Sequence, residues 1–186
     1  MTRVADDVLG KLTRQQHDIF RRVRESSLPV EKVLLMHKKL IGGNIIVKMN
    51  GRGCWGKMIG NCGCEERIIS STFNQEEIPP LPKDQQDDVE ITISKKISGI
   101  TTSNAWQEIL KNCNRKFVHP MVLLALGEDE PDEQKDYKLF TIWKDKLGKL
   151  WFLCLGMYDG RRSLHIGDCY LGFRWSENCR AVGCSR

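Results

Sequence analysis

The chain has 186 residues, 40% hydrophobic and 28% charged, a balance that fits a folded soluble protein with a modest core and excludes wholesale disorder. Its net charge of +5 is too mild for the dense basic stripe of a nucleic-acid binder, so no nucleic-acid partner is expected. No apolar run approaches the ~20 residues that span a bilayer. The opening MTRVADDVLGK has acids and no apolar h-region, so a cytoplasmic location is expected, with surface display left open.

In chain order, residues 1–43 read as a helical segment. Thr13 and Gln16 form a capping-box pair before Ile19, Phe20 and Val23, and Pro29 opens a second helix that carries Val33, Met36, Leu40 and Ile41 to Gly42-Gly43. Such an αα-hairpin could dock on the rest of the chain or make a homo-oligomer. His17 and His37 have no metal-ligating neighbours in sequence and read as ordinary surface histidines.

From Asn44 the period changes. Asn44–Met49 predicts a strand closed by Asn50-Gly51. Gly51–Gly63 reads as a glycine-rich loop, and it is no phosphate cradle because Met58, not Ser or Thr, follows Lys57. Arg67–Phe73 predicts a strand. Gln75–Asp88, with Pro79, Pro80 and Pro82, predicts an exposed connector or a proline-rich ligand. Val89–Ile97 alternates as a strand with one wet face. Ser103 or Asn104 caps a short helix through Trp106 and Leu110, and Met121–Leu126 predicts a buried central strand. Glu128–Glu133 is an acidic loop, solvated or calcium-binding. Tyr137–Trp143, Leu150–Leu155 and Ser163–Ile166 predict three strands, the last two joined at Asp159-Gly160.

Eight cysteines are many for this length. Without an export signal, free thiols are favoured over a disulfide framework. Cys54, Cys62 and Cys64 could hold zinc, but Cys62-Gly63-Cys64 has the wrong spacing and no clear second pair. Cys-His nucleophilic chemistry would need His119 or His165 beside a thiolate. The mixture of Tyr, His, Cys, Gly, Ser and Asn from residue 150 onward, against a packing rhythm of Trp151, Leu153, Leu155, Leu164, Ile166 and Trp175, is that of an adaptable contact surface on a fixed frame.

Thr101–Arg186 resembles the C-terminal part of the small bacterial variable proteins that are targets of diversity-generating retroelements. The resemblance rests on Leu124-Ala125-Leu126-Gly127, the Trp143-x-Asp145-x-x-Gly148 turn, Gly160-x-Arg162-x-Leu164, and Trp175-x-x-x-Cys179-Arg180, in that order. It implies an α+β, C-type-lectin-like domain over residues 44–186, two helices on a twisted antiparallel sheet, with a variable region at about 150–186. Mutagenesis in that family acts on adenines, which would leave Trp151, Met157, Trp175 and Glu177 as fixed frame. Diversified, ligand-contacting positions would be Cys154, Gly156, Tyr158, His165, Gly167, Cys169, Tyr170, Phe173, Ser176, Asn178 and Cys179. The implied function is binding of an unidentified protein ligand, with no enzymatic activity, no metal and no cofactor. The alternative is a small thiol-dependent enzyme akin to formylglycine-generating folds, or a zinc-stabilised interaction module. The family's usual ending is replaced here by Ala181-Val182-Gly183-Cys184-Ser185-Arg186. Calcium-lectin chemistry finds only Glu130-Pro131-Asp132, with no Trp-Asn-Asp after it.

Overall fold

The structure, a computed structural model, describes residues 18, 21, 22, 24, 25, 45–95 and 101–185. The chain forms two compact units, Met1–Asn44 and Ile45–Arg186. Of the first, the described residues are helical, and Arg21 pairs with Asp18 and Glu25 at 2.6 and 2.9 Å. The expected cap at Thr13 and Gln16 and the second helix to Gly42 lie outside the described residues.

The second unit is α+β. Its elements are β1 (Ile45–Lys48), α1 (Trp55–Asn61), β2 (Glu66–Ile69), β3 (Asp88–Ile93), β4 (Thr101–Thr102), α2 (Ser103–Asn112), β5 (Arg115–Phe117), α3 (Pro120–Asp129), β6 (Lys138–Lys144), β7 (Leu150–Tyr158), β8 (Arg161–Asp168), β9 (Arg174–Trp175) and β10 (Cys179–Ser185). An eight-stranded sheet runs β1-β3-β10-β6-β7-β8-β2, with β5 also paired to β10, while β4 and β9 form a separate pair. The large sheet is mixed rather than wholly antiparallel, because β10 runs parallel to β6 and β2 runs parallel to β8. The last strand is no frayed end: β10 is flanked on both edges and buried from Cys179 to Cys184.

Two expectations are corrected. Met121–Leu126 is not a strand but lies within α3, where Pro120 takes the first turn and the His119 imidazole accepts from the Met121 amide at 3.3 Å. A short apolar run cannot tell a buried strand from a helix buried all round, and here Val122 to Gly127 are all buried. Gly127 lets α3 sit tight on β7, since a Cβ there would lie 2.6 Å from Leu155 Cδ1. Similarly, the Gly51–Gly63 stretch contains α1, anchored by buried Trp55 and Met58 one turn apart. The predicted Arg67–Phe73 strand is shorter and shifted, ending at Ile69.

Each face of the sheet has its own core. Leu153, Leu155, Leu164 and Ile166 pack with Met58, Leu123 and Leu126. On the opposite face Phe140, Phe152, Cys154 and Ala181 pack with Trp106, Leu110 and Trp175. The Trp143-x-Asp145-x-x-Gly148 turn joins β6 to β7. Asp145 Oδ1 accepts from the amides of Leu147 and Lys149, both at 2.9 Å, and Oδ2 accepts from buried Trp151 Nε1 at 2.8 Å. Gly148 supplies the positive φ of 85° that this turn requires. Burial opposes ionisation of Asp145, but these donors outweigh it and hold its carboxyl below the usual carboxylate value.

Candidate binding face

The β7–β8 register decides which C-terminal side chains share a side. Tyr158 is opposite Arg161, Gly156 opposite Ser163, Cys154 opposite His165 and Phe152 opposite Gly167. Paired residues point to the same side, so Tyr158, Gly156, Cys154, His165 and Gly167 share one face. The same face continues to Phe140 and Lys138 of β6 and to Cys179, which is opposite Lys138. At the other edge it continues to Ile68 of β2, opposite His165.

This face is half covered. Helix α2 and the β4–β9 pair lie over Phe140, Ile142 and Phe152. Rings step outward from that core: Trp106 to Phe140 at 5.7 Å, Phe140 stacked on Trp175 at 3.9 Å, and Trp175 to Phe173 at 5.0 Å. Phe173 then meets Tyr170 at 6.1 Å, and Phe152 meets His165 edge-on at 4.9 Å. Phe152 also touches Phe173 at 5.5 Å, so His165, Phe173 and Tyr170 form one contiguous patch. Tyr170 is 66% exposed and Tyr158, at the far end of the hairpin, 60%.

The loop carrying Tyr170 and Phe173 is held by its backbone. The first amides of α2 lack partners within the helix, and the loop supplies them. Ser103 N–H donates to Phe173 C=O at 3.0 Å, and Asn104 N–H donates to Leu171 C=O at 2.9 Å. Thr102, rather than Ser103 or Asn104, is the cap, accepting from the Ala105 amide at 3.2 Å. Trp175 Nε1 donates to Ser103 Oγ at 2.9 Å and clamps β9 to the same helix end. The next turn is fixed by buried Arg180, whose Nη1 donates to the carbonyls of Glu177 and Cys179 at 2.6 and 2.8 Å. Ser176 and Asn178 project from that turn and are exposed.

The expected contact set therefore divides. Tyr158, His165, Tyr170, Ser176 and Asn178 are exposed, and Cys169 and Phe173 are half-buried. Cys154, Gly156, Gly167 and Cys179 do not face outward but are buried, which corrects their placement as outward positions. Cys154 and Cys179 belong to the core under α2 and β9. A Cβ at Gly167 would lie 2.8 and 2.9 Å from the Phe152 ring, and one at Gly156 would lie 2.8 Å from Lys138 Cγ. Of the expected frame residues, Trp151 and Trp175 are buried, Met157 is half-buried and Glu177 is exposed.

The titratable groups of the face are set for neutrality. Burial pushes the Cys154 thiol up to about 12, with Cys179 adding to the effect, and burial likewise pushes Cys169 up to about 12. Burial and then the Lys138 ammonium lower the His165 pKa. Cys154 and His165 are thus cross-strand neighbours that disfavour the thiolate–imidazolium pair of a cysteine nucleophile. Among the described residues, no group of three or more His, Cys, Asp or Glu could hold a metal ion. No described helix is long and apolar enough to cross a membrane. The chain matches no protein family, no curated protein and no solved structure.

Lys138 and Ile68 belong to this face and were missed from the sequence. Ile68, 47% exposed, reaches it only because β2 joins the sheet beside β8, a pairing of distant segments. Lys138 had a local signal, as the polar residue that opens the apolar Leu139–Trp143 run.

Proposed function

We propose that the protein binds a protein ligand through the outward half of this face, in the manner of retroelement-diversified variable proteins with a C-type-lectin-like domain. One observation carries the reading: the 169–178 segment is anchored through carbonyls and buried Trp175 and Arg180, while its exposed side chains take little part in holding it. Such a segment can change side chains without changing its path. Tyr158 and Tyr170 supply large contact areas with few rotamers to freeze, and His165, Ser176 and Asn178 supply adaptable hydrogen bonds. The contact set is narrower than the composition suggests, comprising Tyr158, His165, Tyr170, Ser176, Asn178 and the rim of Phe173 and Cys169.

Two measurements test this. Sequencing the surrounding genome should reveal a reverse transcriptase and a near-copy of the 3′ coding end differing at adenines. A displayed library randomised at Tyr158, His165, Tyr170, Ser176 and Asn178 should remain folded and yield binders to protein baits, and these should lose binding when Tyr158, Tyr170 and Phe173 become Ala. Absence of the template copy would remove the retroelement. A library that is mostly unfolded would remove the binding face itself.

A further inference from the structure

Away from this face, Cys62-Gly63-Cys64 closes the turn between α1 and β2. Gly63 has φ +69°, a left-handed turn that keeps its neighbours' Cα atoms near the ~4.4–6.8 Å span of a disulfide. The two thiols are within hydrogen-bonding reach of each other, and Cys62 Sγ also donates to Ile59 C=O at 3.2 Å. Against this turn lies the guanidinium of Arg162 from β8. Its Nη2 donates to the carbonyls of Cys62 and Gly127, both at 2.6 Å, and a Cβ at Gly63 would collide with it. Arg162 Nε is buried without a hydrogen-bond partner, and no carboxylate pairs with Arg162 among the described residues. A buried cation ordinarily has an anion beside it, and the group placed to become one is the Cys62 thiolate. Arg67 of β2 adds a second positive charge.

We propose that Cys62 and Cys64 form an oxidisable vicinal dithiol that a small peroxide converts to an intrachain disulfide. The hydrogen bond from Cys64 and the charges of Arg67 and Arg162 outweigh burial and lower Cys62 to about 6, while its neighbour, sharing that hydrogen bond and buried, is raised. The Cys62 thiolate attacks one peroxide oxygen, breaking the O–O bond. Cys62 becomes the sulfenic acid and hydroxide leaves, taking up a proton as water. The Cys64 sulfur then attacks the Cys62 sulfur, the S–OH bond breaks, and the Cys64 proton leaves with hydroxide as a second water. Two thiols lose two electrons and hydrogen peroxide gains them. Cys62 is 0% exposed and Cys64 4%, so the oxidant must be small.

The test uses the full chain carrying Cys54→Ser and Cys113→Ser, which removes the two exposed thiols. One equivalent of hydrogen peroxide is added, the remaining thiols are alkylated after denaturation, and the peptides are mapped. Cys62 and Cys64 should be lost together as a disulfide, roughly tenfold faster than Cys154 or Cys169, because the thiolate is the nucleophile. The rate should rise through about pH 6 and then level off. In Cys64→Ser the sulfenic acid at Cys62 should be trapped by dimedone. Loss of other thiols while Cys62 and Cys64 stay reduced would overturn the proposal. So would their oxidation at the rate of Cys154, a reading that needs no variant of either cysteine to fold.

Discussion

Gly167→Asn and His165→Asn place the same side chain two residues apart on one strand and one face, yet only the first should damage the fold. At Gly167 the new Cβ would sit 2.8 and 2.9 Å from Phe152 ring atoms. Phe152 cannot swing aside freely, because Phe173 lies 5.5 Å and Trp175 5.3 Å from it. Overpacking of this kind costs about 1–3 kcal/mol, and for a chain of this size each kcal/mol lowers Tm by roughly 2–4 °C. Gly167→Asn should therefore melt about 2–12 °C below wild type. His165→Asn gives up one edge contact with Phe152 at the surface and should stay within about ±0.5 kcal/mol. Thermal unfolding followed by circular dichroism measures both. Equal melting temperatures, or a Gly167→Asn protein as stable as wild type, would refute the division of the face into frame and contact positions.

Asp145→Ala removes the acceptor for two turn amides and strands the buried Trp151 Nε1, so about 2–3 kcal/mol should be lost in chemical denaturation. Because the folded carboxyl lies below its ordinary 3.8, its stabilisation is present above that value and lost as pH falls through the lower, folded pKa; Asp145→Ala should flatten that acid limb. Burial lowers the His119 pKa below 6.5, against the hydrogen bond to Pro79 C=O. Stability should therefore be complete above pH 6.5 and decline as pH falls below it, and His119→Asn, which can still cap α3, should remove that decline in a pH series of Tm. Trp175→Phe keeps the ring stack but leaves Ser103 Oγ without its donor, and should cost about 1 kcal/mol by urea titration.

The strands most legible in the sequence were those whose signal is local. Leu150–Leu155 with Asp159-Gly160 and Ser163–Ile166 identified β7, its turn and β8, because alternation and a turn dipeptide act over a few residues. The Trp143, Asp145 and Gly148 spacing was likewise visible, and Asp145 proves to hold the whole turn. The reading failed at Met121–Leu126, where an apolar run enclosed on all sides has no period to read. It failed at Trp55–Asn61 because glycines masked a short helix whose anchors meet only in the core.

Taken alone, the sequence determined the alternation of β7 and β8, the turn residues, and a C-terminal composition suited to contact. Only the tertiary structure decided which of those residues reach solvent. Cys154, Gly156, Gly167 and Cys179 share a face with Tyr158 and His165, but helix α2, strand β9 and the Phe152 and Lys138 side chains close over them. The physical reason is that alternation along a strand specifies a side of the sheet, whereas burial depends on what distant segments lay across that side.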